Sequence, residues 1–189
     1  MCGAISASIL DFRLVVDPTN TDISHLLEIS KTVIPTSGWR DAHRSGALEL
    51  RSSLISDGTT ILGAELCLRC LRSRPDERVS LLILMETGAG PRCIARIDWR
   101  ASVPHINLSP LCGDLQFSDA GTTHFHNPGL YEGIENPLDF IMQNLPLAAS
   151  IDPPPEDFSS LLDRSAIMLN ITNLSQLAAP PWQTPSTFL

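Results

Sequence analysis

The spacing of apolar residues changes character along this chain. Ile23, Leu26 and Leu27, and then residues 30–33, recur at helical spacing behind the capping oxygens of Asp17, Thr19, Asn20 and Thr21, until Pro35 stops the run. That pattern predicts a short amphipathic helix at the N-terminal end. Upstream, residues 5–16 alternate and fit a strand. From residue 47 to residue 100 the period drops to two, with turn residues at intervals suited to an antiparallel meander. Leu48, Leu50 and Leu54 share one face of a first strand, which Asp57-Gly58 ends. Leu62, Ala64, Leu66, Leu68 and Cys70 line a second strand as far as Arg74-Pro75-Asp76. Residues 79–86 are apolar on both faces, as expected of a central strand covered on both sides. After Gly88-Ala89-Gly90, the fourth strand is expected to carry Cys93, Ala95, Ile97 and Trp99 on one face, with Arg92, Arg96, Asp98 and Arg100 on the other beside Ile94.

Residues 101–133 are rich in Pro, Gly, Asn and Asp, with extended stretches at 105–108 and 122–126. A connection this long inside one domain is usually functional or mobile. Two helices are expected to follow. Asn136-Pro137 leads into Leu138, Phe140, Ile141 and Leu145, and Pro153-Pro154-Pro155-Glu156-Asp157 leads into Phe158, Leu161, Leu162 and Ile167. The predicted fold is α+β: an antiparallel β-meander of four to five strands packed by an N-terminal helix and two C-terminal helices. Residues 1–177 are read as one domain, and 178–189 as a proline-rich tail that docks through Trp182.

Composition narrows the functional classes. At 189 residues, with 43% hydrophobic content, the chain can bury one ordinary core. Asp11 and Arg13 interrupt the first apolar run and no basic segment precedes it, so neither an export signal nor a spanning helix is expected and the chain is placed in the cytoplasm, away from membranes. Five cysteines, an odd number, then read as free thiols. The net charge of -8 counts against loose electrostatic binding to nucleic acid over the whole surface, while a local arginine cluster could still hold a phosphate.

Cys67-x-x-Cys70 has the spacing of a metal or redox pair, but on a strand an odd separation sends the two thiols to opposite faces. The reading is structural. Arg96 and Asp98 share a strand face, so one can hold an anion while the other orients a histidine or ligates a metal; their bland reading is a surface ion pair. His124 and His126 point the same way in extended chain while Phe125 faces the core, and Pro104-His105 adds a third imidazole. His25 and His43 read as surface residues.

The order Arg96-x-Asp98, Pro104-His105, His124-x-His126, on the last strands of a small sheet, resembles the TumE-type toxins of bacterial toxin–antitoxin pairs and related uncharacterised small bacterial proteins. The resemblance covers about residues 79–145. It implies a toxin-like, RNA-directed activity with Arg96, Asp98, His105, His124 and His126 at the matching positions.

The expected function is therefore a nuclease or other phosphodiester-directed enzyme, of ribonuclease-like hydrolase or phosphodiesterase type. His124 and His126 would serve as acid and base, Arg96 would stabilise phosphate charge and Asp98 would orient His105, with no cofactor required. A metal-assisted variant uses His105, His124 and His126 as ligands of a divalent metal. RNA or another phosphodiester is the substrate expected, with a protein such as an antitoxin as partner. The alternative is a non-catalytic acidic interaction protein that binds or inhibits a basic nucleic-acid-binding partner, supported by the net charge and the tail bearing Trp182.

Overall fold

A computed structural model describes residues 20–34, 38–43, 46–109, 114–131 and 144–183; the strand expected at 5–16 and most of the helix expected after Pro137 lie outside them. The fold is mainly antiparallel sheet. Helix α1 spans Asn20–Glu28 and α2 spans Phe158–Leu169; the strands are β1 (Thr32–Val33), β2 (Arg40–Asp41), β3 (Ala47–Ser56), β4 (Thr59–Leu71), β5 (Val79–Met85), β6 (Arg92–Trp99), β7 (His105–Ile106), β8 (Asp119–Gly121), β9 (His124–His126) and β10 (Ala149–Ser150). The main sheet runs β1-β3-β4-β5-β6-β9-β10, with β2 also on β3, and β7 and β8 form a separate pair. No helix among the described residues is long and apolar enough to cross a membrane.

The meander β3-β4-β5-β6 follows from its turns. Asp57 and Gly58 both have positive φ, at 48° and 75°, the hand that lets two long strands pair directly across a two-residue turn. One sheet face carries Leu48, Leu50, Leu66, Leu68, Leu81, Ile83 and Ile97, which join Ile23 and Leu26 of α1 and Phe158, Leu161, Leu162 and Leu169 of α2 in a single buried cluster. Asp157 and Ser160 cap α2 reciprocally, side chain to backbone in each direction. Trp99 is wholly buried and donates from Nε1 to the Pro155 carbonyl at 2.9 Å. Trp182 is partly buried, its ring 5.5 Å from that of Phe158.

Three expectations are corrected. The first helix stops at Glu28, short of Pro35, because the buried Lys31 ammonium turns back onto the carbonyls of Leu26 (2.7 Å), Ile29 (2.8 Å) and Leu27 (3.3 Å), and residues 32–33 go into the sheet. Burial pushes Lys31 down to about 8. On β6 a register slip opposite Ile83 and Leu84 inserts one residue. Cys93 therefore joins Cys67, Leu82 and Leu84 in a small cluster on the polar side, and Ile94 enters the main core. Leu62 is 71% exposed: the β3–β4 register slips between Ser53 and Ile55 and Gly63 takes a positive φ of 77°, so the two-residue alternation that runs through Ala64, Leu66 and Leu68 does not reach Leu62.

Candidate functional site

The sheet face turned away from the main core holds the polar chemistry. Register sets its layout: Arg96 pairs with His126 and Asp98 with His124 between β6 and β9, while Ser80 of β5 pairs with Asp98. Because β9 lies directly against β6, the strand face of Arg96 and Asp98 and that of His124 and His126 are one continuous surface. Phe125, between the histidines, faces the core.

His105 arrives from the separate β7–β8 pair, and the three imidazoles meet with ring centroids 4.8 to 5.1 Å apart. One nitrogen from each ring lies within 4.8 Å of those of the other two. Backbone carbonyls hold all three rings: His105 Nε2 against Pro146 O (3.0 Å), His124 Nδ1 against Gly121 O (2.9 Å) and His126 Nδ1 against Leu147 O (2.9 Å). A carbonyl oxygen only accepts, so each of these nitrogens carries the proton. In the neutral ring, the other nitrogen of each histidine is left with a lone pair.

Asp98 organises the cluster. Its Oδ2 lies 2.8 Å from Arg96 Nε, 3.3 Å from His124 Nε2 and 3.5 Å from His126 Nε2, and Ser80 Oγ donates to its Oδ1. Burial alone would raise the Asp98 carboxyl; its contact with His124, the Arg96 charge and the Ser80 hydroxyl outweigh that and hold it well below the ordinary carboxylate range. A guanidinium nitrogen only donates, so the 2.7 Å contact with an Arg96 terminal nitrogen makes His126 Nε2 the acceptor and its ring neutral; burial, aided by the Arg96 charge, pushes His126 down against the opposing pull of Asp98. An imidazole lone pair and a carboxylate oxygen as close as His124 Nε2 and Asp98 Oδ2 attract each other only with a proton or another cation between them.

All five predicted residues therefore converge. One expected pairing changes: Asp98 contacts His124 and His126, and His105 is oriented by Pro146 O instead. His124 and His126 are buried rather than displayed on a loop, at 3% and 0% exposure. Arg96, Asp98, His105 and His124 line an open groove of about 940 Å³, while His126 lies beneath it. His43 lines the same groove further along; His25 is exposed on α1.

Sequence reasoning missed the residues that hold the imidazoles in place. Asn107 is fully buried, donates to Ser118 Oγ and Ala148 O and accepts from Ala148 N, all at 2.8 to 2.9 Å, which pins residues 146–148 and their carbonyls beside the histidines. Its position two residues after His105, in the same extended stretch, was the available signal. Cys67 and Cys70 are both buried but face opposite sides of β4, toward Arg51 and Leu48 respectively, and share no chemistry.

The chain matches no family model, no curated protein and no solved structure.

Proposed function

We propose that this protein is a phosphodiester-directed hydrolase in which His105, His124 and His126 bind one divalent metal ion. The observation that carries the reading is the convergence of three imidazoles, each with its second nitrogen committed to a backbone carbonyl, which is how metal-binding histidines are commonly held. Burial favours this over direct acid–base catalysis: His126 lies below the groove, out of reach of a substrate in it, whereas a ligand needs only to reach the ion.

A divalent ion in such a site supplies a Lewis acid that polarises a phosphoryl oxygen and activates water. The protein's own groups do the positioning. Arg96 lies at the groove wall, with one terminal nitrogen on Asn144 at 3.3 Å and another on His126, and can transfer these donors to phosphate oxygens as charge develops. Asp98 stays ionised and fixes both Arg96 and His124. An RNA strand as substrate and an antitoxin-like protein as partner follow from the resemblance to TumE-type toxins.

Metal analysis and hydrolysis assays with bis(p-nitrophenyl) phosphate and with RNA test the reading. The expected result is one divalent ion per chain, cleavage abolished by a chelator and restored by metal, and at least about a hundredfold loss in the double variant His124→Ala/His126→Ala with the fold intact. Cleavage that survives chelation would overturn the metal role. No cleavage by the metal-loaded protein would favour the non-catalytic acidic interaction protein.

A further inference from the structure

The groove continues across the sheet well beyond the histidines, and its far end is lined by arginines. Glu49 of β3 is buried and accepts from three arginines: Arg51 Nε at 2.9 Å, Arg69 Nε at 3.0 Å and a terminal nitrogen of Arg40 at 3.1 Å. Arg51 also bridges to Glu65 at 3.1 Å. The arginine side chains remain 63% (Arg40), 48% (Arg69) and 31% (Arg51) exposed. Arg69 spends only its Nε on protein, so among the described residues both its terminal nitrogens lack a protein partner. Glu49 thus orients three guanidinium groups, and with Glu65 counted the cluster keeps one net positive charge.

Strand register connects this cluster to the histidines. Arg40, Glu49, Arg69, Ser80, Asp98 and His124 are successive cross-strand partners, forming a single row across β2, β3, β4, β5, β6 and β9. Three strand spacings separate Arg69 from His124, roughly 14 Å at the usual 4.8 Å per strand. That is about four nucleotides at the 3.4 Å rise of a stacked strand. The groove lining includes five arginines, Arg40, Arg51, Arg69, Arg78 and Arg96, against two carboxylates, Glu49 and Asp98. In a chain of net charge -8, this excess of positive charge makes the groove a place where a polyanion is attracted, while the acidic remainder of the surface repels it. Leu71, Leu82 and Val103 add apolar surface on which bases can rest.

We propose that Arg40, Arg51 and Arg69, held by Glu49, form a second phosphate-binding subsite, so that the groove takes a single-stranded nucleic acid of at least about four nucleotides laid across the strands. The proposal rests on the phosphodiester reading of the histidine site for the direction of the strand, but the subsite is a binding site in its own right. A single strand fits better than a duplex because the basic residues lie on two adjacent rows, Arg40 and Arg69 on one and Arg51 and Arg96 on the next, roughly 7 Å apart along the strands and too close to flank a duplex.

The test compares wild type with Arg40→Ala/Arg69→Ala, two changes at exposed side chains remote from the histidines. Binding of fluorescent single-stranded RNA and DNA oligonucleotides is measured over a salt series, and hydrolysis of bis(p-nitrophenyl) phosphate, too short to reach the subsite, is measured in parallel. Expected are a loss of oligonucleotide affinity of about tenfold or more, a slope of log affinity against log salt reduced by about 1.4 for two lost phosphate contacts, and unchanged reporter hydrolysis. Loss of affinity with RNA and DNA alike assigns the arginines to the phosphates; loss with RNA alone would mean they read the sugar and would overturn the phosphate assignment. Unaltered affinity, no oligonucleotide binding by wild type, or preference for a polyglutamate peptide would also overturn the subsite. Reporter hydrolysis absent from wild type, with oligonucleotide binding still lost in the variant, would sink the hydrolase reading and leave the subsite standing.

Discussion

Arg96 donates from a terminal nitrogen to the Nε2 lone pair of His126 at 2.7 Å, directly across the β6–β9 ladder. The same lone pair is one that a metal ion would need. Arg96 and a bound ion would therefore compete for His126, and the guanidinium would add a like charge beside the cation. Replacing Arg96 with alanine is expected to tighten divalent metal binding by at least about tenfold while lowering phosphodiester hydrolysis by about a hundredfold. Titration with a competing chromophoric chelator, set beside steady-state rates, measures both. Movement of the two quantities in the same direction would contradict the competition.

Glu49 gives a pH signature. Burial would raise its carboxyl, but the hydrogen bonds from Arg51, Arg69 and Arg40 dominate and hold it at about 2. A carboxyl depressed in the folded state stabilises the fold above its unfolded value and loses that contribution as pH falls through the folded one. Urea unfolding from pH 4.5 to pH 2 is therefore expected to show wild type losing stability faster than Glu49→Gln, with the gap between them closing toward pH 2. Parallel curves would mean that Glu49 is ordinary in the fold.

The described thiols should be inert. Burial pushes Cys67 and Cys70 up to about 11 and Cys93 up to about 12, and the thiolate is the reactive form. Iodoacetamide at pH 8 followed by peptide mass spectrometry should leave all three unmodified in native protein and label all three in denaturant. Rapid native labelling of Cys93 would show that the cluster it forms with Cys67, Leu82 and Leu84 opens readily.

How much of this was legible in the sequence depends on the kind of information. Two-residue periodicity reports which side of a strand a residue takes, and it correctly grouped Arg96 with Asp98 and His124 with His126. It does not report which strand lies next door. That β9 pairs with β6 across a connection of more than twenty residues is a tertiary fact, and so is the row from Arg40 to His124, which requires the register of six strands at once. Periodicity also fails wherever a residue is inserted, which is why Cys93 and Ile94 changed sides. The carbonyls of Pro146 and Leu147 have no side-chain signature, so nothing in the residue types announced that they would hold two of the imidazoles.

The helix end closed by Lys31 has a practical consequence. Lys31 is the only lysine in the sequence, and it is 1% exposed with its ammonium set against three carbonyls. An acylating label, an amine cross-linker or an enzyme that conjugates lysines finds no side chain to attack on the folded protein. Whatever modification of Lys31 is seen must follow opening at the end of α1, so its rate is a clock for that opening.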